Sequence, residues 1–568
     1  MRRKFALVVF GLASSLTFAA PNYIDLKPLT EVVKATAGNV KNGTQNLPMI
    51  TWGGDIATIY ANGNQLNTTD NSIFGKKGLS YRLSREDVFA NQLENYIEGD
   101  TAILRGTMDM INSASDLLAD NPDLNPVVFY QMTYSNGGDA LVVKPGINNA
   151  SDLKGKTIAL QAYGPHVNYL IRVLNDSGLS INDVKVKWLP DLTGTDNTPM
   201  EALYEQDIDA AFVIIPDALA LTSGGSVGTG AEDSVKGAKI LLSTKTANKV
   251  IADVYAVRAD YYKKNKDEIE RLTQGLLEAA EAVKKIVSDR KKDPKTYNAL
   301  MRSSAKFLLD SPDAISDTEG LYADAEYVYL SGNTQFFTNP NHPRSFEKLN
   351  SETGAGLKAL GLIKNPLSTK KADLNYKRLS QGLTMKSNIN KPKFNKDQLS
   401  SLVSRKQQQG SLADGELFSF DVFFSANQTN FPIDLYQKEF DKVIELASTY
   451  GGAVITVEGH SDPMGYLRAK KANKPPVVLS RIKQSAKNLS VNRSQSVRDA
   501  IMTYAGSQSI SLDESQFEPI GHGITSPSTG ICGNDPCAPV TEQEWRSNMR
   551  VVFRIIQIEA ESGVFMPL

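Results

Sequence analysis

The chain is poor in the residues that most often carry metal or nucleophilic chemistry. Its 568 residues include two cysteines and four histidines, and its 62 Lys and Arg are balanced by 63 Asp and Glu. The charge balance leaves no global field to attract nucleic acid, so a charged partner must be met locally. Cys532 and Cys537 lie in the turn-rich run Gly-Ile-Cys-Gly-Asn-Asp-Pro-Cys. In an exported chain two such cysteines read as a disulfide, whereas a zinc site needs more ligands, and His522 is the one other candidate close in sequence. A disulfide would leave no Cys nucleophile, and no P-loop, HExxH or GxSxG element stands in a suitable context. His166, His342, His460 and His522 have no evident nucleophile partner in sequence. The expectation is therefore a non-enzyme without catalytic residues, cofactor or metal.

Long apolar runs are also lacking. The longest near the N-terminus, Phe5 to Ala20, is shorter and more Ser/Thr-spotted than the ~20 apolar residues a membrane helix needs. Arg2, Arg3 and Lys4 precede it, and Thr17 and Ala19 make a small-x-small site before Ala20. This is the pattern of a secretory signal peptide over 1–19, with an uncleaved anchor as the alternative. The mature chain is expected in the periplasm with no integral membrane segment.

What is present is α/β rhythm. Val127 to Tyr130, Ala140 to Val143, Thr157 to Leu160 and Ala211 to Ile215 read as strands. Val167, Leu170, Ile171 and Leu174 mark one helical face, and Ile269, Leu272, Leu276, Val283 and Val287 another. After Lys364, lysines recur through Lys396, giving a basic, partly disordered linker over 364–412. Its lysines either form a solvated spacer or contact an anionic surface. A smaller α+β domain is expected over 413–568, after a two-lobed α/β domain over 20–363.

In the last part, Phe418 to Phe424 alternates as a strand and Ala453 to Val457 is a second. The second strand ends in Glu458-Gly459-His460-Ser461-Asp462, and Asn488-Leu489-Ser490-Val491-Asn492-Arg493 follows. With Glu518 to Gly523 and Arg546 to Phe553, these segments resemble the OmpA-like peptidoglycan-binding family. The resemblance implies a pocket for the diaminopimelate end of a wall stem peptide, with Asp462 meeting its ammonium and Arg493 its carboxylate. Arginine suits that role because its planar fork grips a carboxylate through two parallel hydrogen bonds. Asn427, Ser461 and Arg550 match other positions of the family's pocket or last strand; a structural ion pair is the plainer reading of Asp462 and Arg493. Three departures stand out. Asp462 and Arg493 are 31 positions apart, about twice the family spacing, so the residues around Lys470 to Ile482, with Pro475 and Pro476, are expected to loop out. The family's Asn before the Leu-Ser pair is Ala486, and its Asn-Arg-Arg-Val reads Asn548-Met549-Arg550-Val551.

In the first part, Ser151 to His166, Gly178 to Val184 and Ala202 to Val213 resemble the type II periplasmic substrate-binding proteins of ABC importers, in the branch associated with nitrate, sulfonates and thiamine precursors. The resemblance implies two lobes closing on a small ligand between strand ends and helix N-termini, which attract anionic groups. Candidate contacts are Trp52, Gly53, Asp55, Gly106, Thr107, Asn136, Tyr163, Gly164 and His166. Asp55 is either a helix cap or an acceptor for a ligand amine or hydroxyl. Trp52 either stacks on a planar ligand or packs in the core; His166 either hydrogen-bonds at a helix start or touches ligand. The expected function is small-molecule capture for uptake or sensing, with an importer permease as a possible partner, in a protein held noncovalently on peptidoglycan. An enzyme on a binding-protein fold and a wall-tethered interaction scaffold are the alternatives.

Overall fold

Three sheets of four or five strands form where the apolar runs are longest, and Gln45–Met49 pairs with Tyr81–Arg85 in a separate two-stranded sheet. The structure, a computed structural model, describes residues 20–231, 233–366, 369–384, 394–410, 416–425 and 433–556. The expected signal peptide and Asn427 lie outside the described residues.

The strand Pro126–Ser135 is buried at every position. A strand covered on both faces has no polar face to alternate with, so its core reads as a continuous apolar run. It lies in a five-stranded sheet, between Ala325–Tyr327 and Ala252–Arg258, with Ile103–Thr107 beyond the latter. These three pairings are antiparallel, and Lys370–Lys371 joins Pro126–Ser135 in parallel. The helix Lys266–Ser288 buries Ile269, Leu272, Leu276 and Val283 against this core, the face its spacing predicts.

The second sheet runs Lys185–Leu189, Thr157–Gln161, Ala210–Ile214, Asp139–Val143, Lys239–Ser243. The helix His166–Asp176 packs Val167, Leu170, Ile171 and Leu174 into its core. The chain passes from the first sheet to the second between Ser135 and Asp139, and returns between Ser243 and Ala252.

The third sheet is four-stranded, in the order Glu416–Phe423, Arg550–Ile556, Val454–His460, Phe517–Gly523. The 32-residue helix Pro476–Ser507 lies against Val454–His460 and Phe517–Gly523. Gly459 permits that approach, since a Cβ there would stand 1.9 Å from the Ser490 carbonyl oxygen. A disulfide joins Cys532 to Cys537 across a short hairpin.

Two expectations are corrected. The stretch read as a spacer carries structure on both sides of its middle. Ala372, Leu374, Leu379 and Leu383 are buried in the first core, while the helix Lys396–Gln409 buries Leu399, Leu402 and Val403 against Val454, Ile520 and Ile556 of the third sheet. Its i, i+3, i+4 apolar triplet is enough to hold a helix on a sheet face. The insertion around Lys470 to Ile482 does not loop out. It forms the helix Met464–Lys471 and the start of Pro476–Ser507. Pro476 opens that helix at its first position, where a missing N–H costs nothing. Among the described residues, no helix is long and apolar enough to cross a membrane.

Candidate functional site

Strand ends and helix starts of the first two sheets meet beside the two passages that join them. From the first sheet, Ile103–Thr107 delivers Arg105, wholly buried. Its Nη2 donates to Asp55 Oδ2 at 3.0 Å and its Nη1 to Asp253 Oδ1 at 2.9 Å. Burial alone would lower the guanidinium's pKa, but Asp55 and Asp253 outweigh it and hold Arg105 above its ordinary value. Thr133 Oγ1 donates to Asp253 Oδ2 and accepts from Trp52 Nε1, each at 2.9 Å.

From the second sheet, Asp139 pairs with His166 Nε2 at 2.8 Å and accepts from Ser135 Oγ at 2.6 Å. Thr244, on the return passage, accepts from the N–H groups of Gly137 and Asp139. The two passages are thus tied to each other.

Asp109 spans the lobes. It lies on the short helix Met108–Ser113 capped by Thr107, and its Oδ2 accepts from the Asn168 N–H at 3.1 Å. Asn168 is in the first turn of His166–Asp176, so a carboxylate of one lobe sits at the positive end of a helix of the other. Burial pushes the Asp109 carboxyl up to about 6. Asp217 and Asp324 are half-buried and raised to about 6, by burial first, with Glu201 adding for Asp217 and Asp139 for Asp324.

The candidate contacts fall into distinct places. Trp52 is half-buried, and a Cβ on Gly138 would lie 2.9 Å from its ring, so it covers the first passage. The Asn136 N–H donates to the Asp324 carbonyl at 2.7 Å. Asp55 is 0% exposed and bound to Arg105, which answers the choice between cap and ligand acceptor with a third role, the buried ion pair. Gly53 is held through its carbonyl by Tyr327 Oη. Gly106 faces Met110 and Phe89, and Thr107 caps a helix. The Tyr163 hydroxyl donates to the Lys27 carbonyl at 2.6 Å, and Gly164 sits against Gln161. Asp109, Asp253, Asp217 and Asp324 were not singled out from sequence, because their partners are distant along the chain.

In the third sheet, Arg493 is 1% exposed. Its Nη1 donates to the His460 carbonyl at 3.0 Å, its Nη2 to the Ser425 carbonyl at 3.2 Å, and its guanidinium lies 5.3 Å from the Phe424 ring centre. Burial lowers its pKa to about 10, partly offset by Asp462, so it is cationic at neutral pH. Asp462 Oδ2 accepts from the Met464 N–H, while Oδ1 is buried with no hydrogen bond. Burial raises this carboxyl, and Trp545, Arg468 and Arg493 pull it down. Ser461 is buried, and its hydroxyl donates to the Ala486 carbonyl at 2.9 Å, tying the strand end to the long helix. Arg550 is half-buried beside Asp421.

Among the described residues one group has metal-ligand spacing: Glu458, His460 and His522, with donor atoms within 4.8 Å of one another. Glu458 already accepts from His522 at 3.0 Å and from Arg554 at 2.9 Å. Arg550 also acts on His460, whose pKa falls to about 2 through burial first. Two guanidiniums beside the cluster oppose a divalent cation; the His460 ring stacks on that of His522 with centroids 4.7 Å apart, and neither ring nitrogen of His460 has a hydrogen bond among the described residues.

The first two sheets with their connecting passages make a mixed α/β architecture, followed by the α+β third sheet. Residues 90–285 match the family model described as NMT1/THI5 like. Several solved structures are similar to this chain over part of its length. The alkanesulfonate-binding protein SsuA from Xanthomonas axonopodis pv. citri, bound to MOPS, is 16% identical, with 59% of this chain and 100% of that one covered and a TM-score of 0.37. The putative periplasmic sulfonate-binding protein SsuA from Methylobacillus flagellatus KT is 16% identical, with 62% and 97% covered and a TM-score of 0.41. The desulfurization enzyme DSZB is 14% identical, with 57% and 94% covered and a TM-score of 0.35. No curated protein matches the chain.

Proposed function

We propose that the first two lobes capture a small molecule between them and that the third sheet attaches the protein to peptidoglycan in the periplasm. The observation that carries the first half is the Asp109 carboxylate of one lobe seated on the opening turn of a helix in the other. A facing pair of lobes joined by two adjacent passages, with a helix start closed by a carboxylate from across the gap, is built to part and close on a ligand. The match of residues 90–285 to the NMT1/THI5-like model supports the same reading. Asp217 and Asp324 border this region with acceptors, and Asp109 already occupies the helix start. The ligand is therefore one rich in N–H or O–H donors, handed on to an importer permease or read as a signal.

The wall half rests on Asp462 and Arg493. A zwitterionic stem-peptide end supplies an ammonium for the unpartnered Asp462 Oδ1 and a carboxylate for the cationic Arg493. Both halves are testable on the purified protein. A panel of amines, amino acids, polyols and sulfonates is screened by thermal shift, since a ligand of the native state must raise the melting temperature. The donor-rich members are expected to do so; a flat panel defeats the capture reading. Isolated sacculi are expected to retain the wild type and to release the Asp462→Ala, Arg493→Ala variant. Equal retention defeats the wall reading.

A further inference from the structure

The insertion between Asp462 and Arg493 has a charge and shape that the wall pocket does not use. From Pro463 to Asn492 the sequence holds seven basic residues and no acidic one. The segment folds as a hairpin of Met464–Lys471 and the first half of Pro476–Ser507, with Lys483 Nζ 4.6 Å from the Tyr466 ring centre. The first buried residue of the long helix is Ser490. Ser461 holds the helix at the Ala486 carbonyl, so its first ten residues, Pro476 to Ser485, form an arm of ~15 Å, at ~1.5 Å per residue, that no core requires.

The arm's chemistry is segregated. At its tip, Pro475, Pro476 and Val477 are exposed, Val477 at 59%, followed by the half-exposed Val478 and Leu479. Around the tip stand exposed Lys471, Lys474 and Arg481, with exposed Lys483 and Lys487 further along the helix. The acid near the hairpin, Asp535, takes Lys470. A solvated charged face explains the lysines but leaves an apolar tip in water. A soluble polyanion would likewise use the lysines and ignore the tip. An aliphatic point inside a basic collar fits a surface with anionic headgroups over an apolar interior.

We infer that this arm docks on a bilayer carrying anionic phospholipid, with the lysines and Arg481 on headgroup phosphates and Val477 at the acyl boundary. Asp462 lies at the base of the hairpin, so the surface borders the wall site while remaining separate from it. The inference does not depend on the wall reading.

The test is co-sedimentation of the full chain with vesicles of phosphatidylglycerol and phosphatidylethanolamine, against vesicles of phosphatidylcholine alone. Binding to the anionic vesicles alone is expected, released by raised salt as exposed charges are screened. Lys471→Gln, Lys474→Gln, Arg481→Gln and Lys487→Gln together are expected to weaken it at least ten-fold, and Val477→Asp alone several-fold. Equal binding to both vesicle types, or an unaltered quadruple variant, overturns the inference. So does binding to soluble polyphosphate that is as tight as to vesicles and unchanged by Val477→Asp, since that outcome assigns the arm to a phosphate polymer.

Discussion

At the scale of single residues, the first two lobes invest in buried charge. Arg105 is held between Asp55 and Asp253, and breaking such a pair by removing one partner leaves an uncompensated charge. Asp109 differs, because its partners are neutral N–H and O–H groups and burial is the leading influence on it. Its carboxyl rises from the ordinary 3.8 to about 6 on folding. Between those values the folded chain holds a proton that the unfolded chain has lost, so this contribution is full below about pH 4 and gone above about pH 6. Stability therefore falls as pH climbs through that window. Asp109→Asn has nothing to ionise and is expected to flatten the decline by about 3 kcal/mol, at ~1.4 kcal/mol per pKa unit. Urea midpoints measured from pH 4 to 7 check this, and parallel curves for the two proteins would count against it.

At the scale of elements, the helix Lys396–Gln409 is the informative case. Its composition is that of a spacer, with polar residues outnumbering Leu399, Leu402 and Val403, yet those three cover one face of the third sheet. Leu399 is 0% exposed, and Leu399→Ala is expected to cost the C-terminal domain about 2–5 kcal/mol, the range for a truncated core leucine. A free spacer would lose nothing, so a calorimetric trace with an unshifted C-terminal transition refutes the packing. The contrast shows what the sequence makes legible. Val127 to Tyr130, Ala140 to Val143 and Ile158 to Leu160 announce themselves because burial on both faces favours uninterrupted apolar residues, whereas Gln131, Thr133 and Ser135 continue the first strand as buried polar residues that the apolar run does not show. Lys396–Gln409 is hidden because one covered face needs only three. Pro475-Pro476 reads as a loop until the second proline is seen to open a helix. The meeting of the two lobes is harder still: Trp52, Asn136 and His166 stand in recognisable strand-end motifs, but Asp109 and Asp253 gain their roles only from partners 59 and 148 positions away.

At the scale of the whole molecule, the third-sheet domain lies against the second lobe. Asp176, at the end of the helix His166–Asp176, takes Tyr450 Oη at 2.9 Å and Lys442 Nζ at 3.0 Å, while Arg172 reaches Glu445 at 2.7 Å. A polar cavity of about 740 Å³ remains between them, lined by Arg172, Glu352, Lys442 and Glu445 among others. The backbone contact is more telling. The Gly452 N–H donates to the Thr246 carbonyl at 3.1 Å, and the Lys249 N–H donates to the Thr449 carbonyl at 3.2 Å. Thr246 and Lys249 belong to the return passage between the lobes, so the domain grips the segment that must flex if the lobes part. Only glycine fits at 452, since a Cβ there would stand 1.8 Å from the Lys245 carbonyl oxygen, a rigid backbone atom. Gly452→Val is therefore expected to release the domain onto its connecting segment while leaving the internal packing of each part intact. In small-angle scattering the radius of gyration should rise by several Å above the ~24 Å of a compact chain of this length. A curve superimposable on that of the wild type would mean that the side-chain bridges to Asp176 and Arg172 hold the domain without the backbone contact.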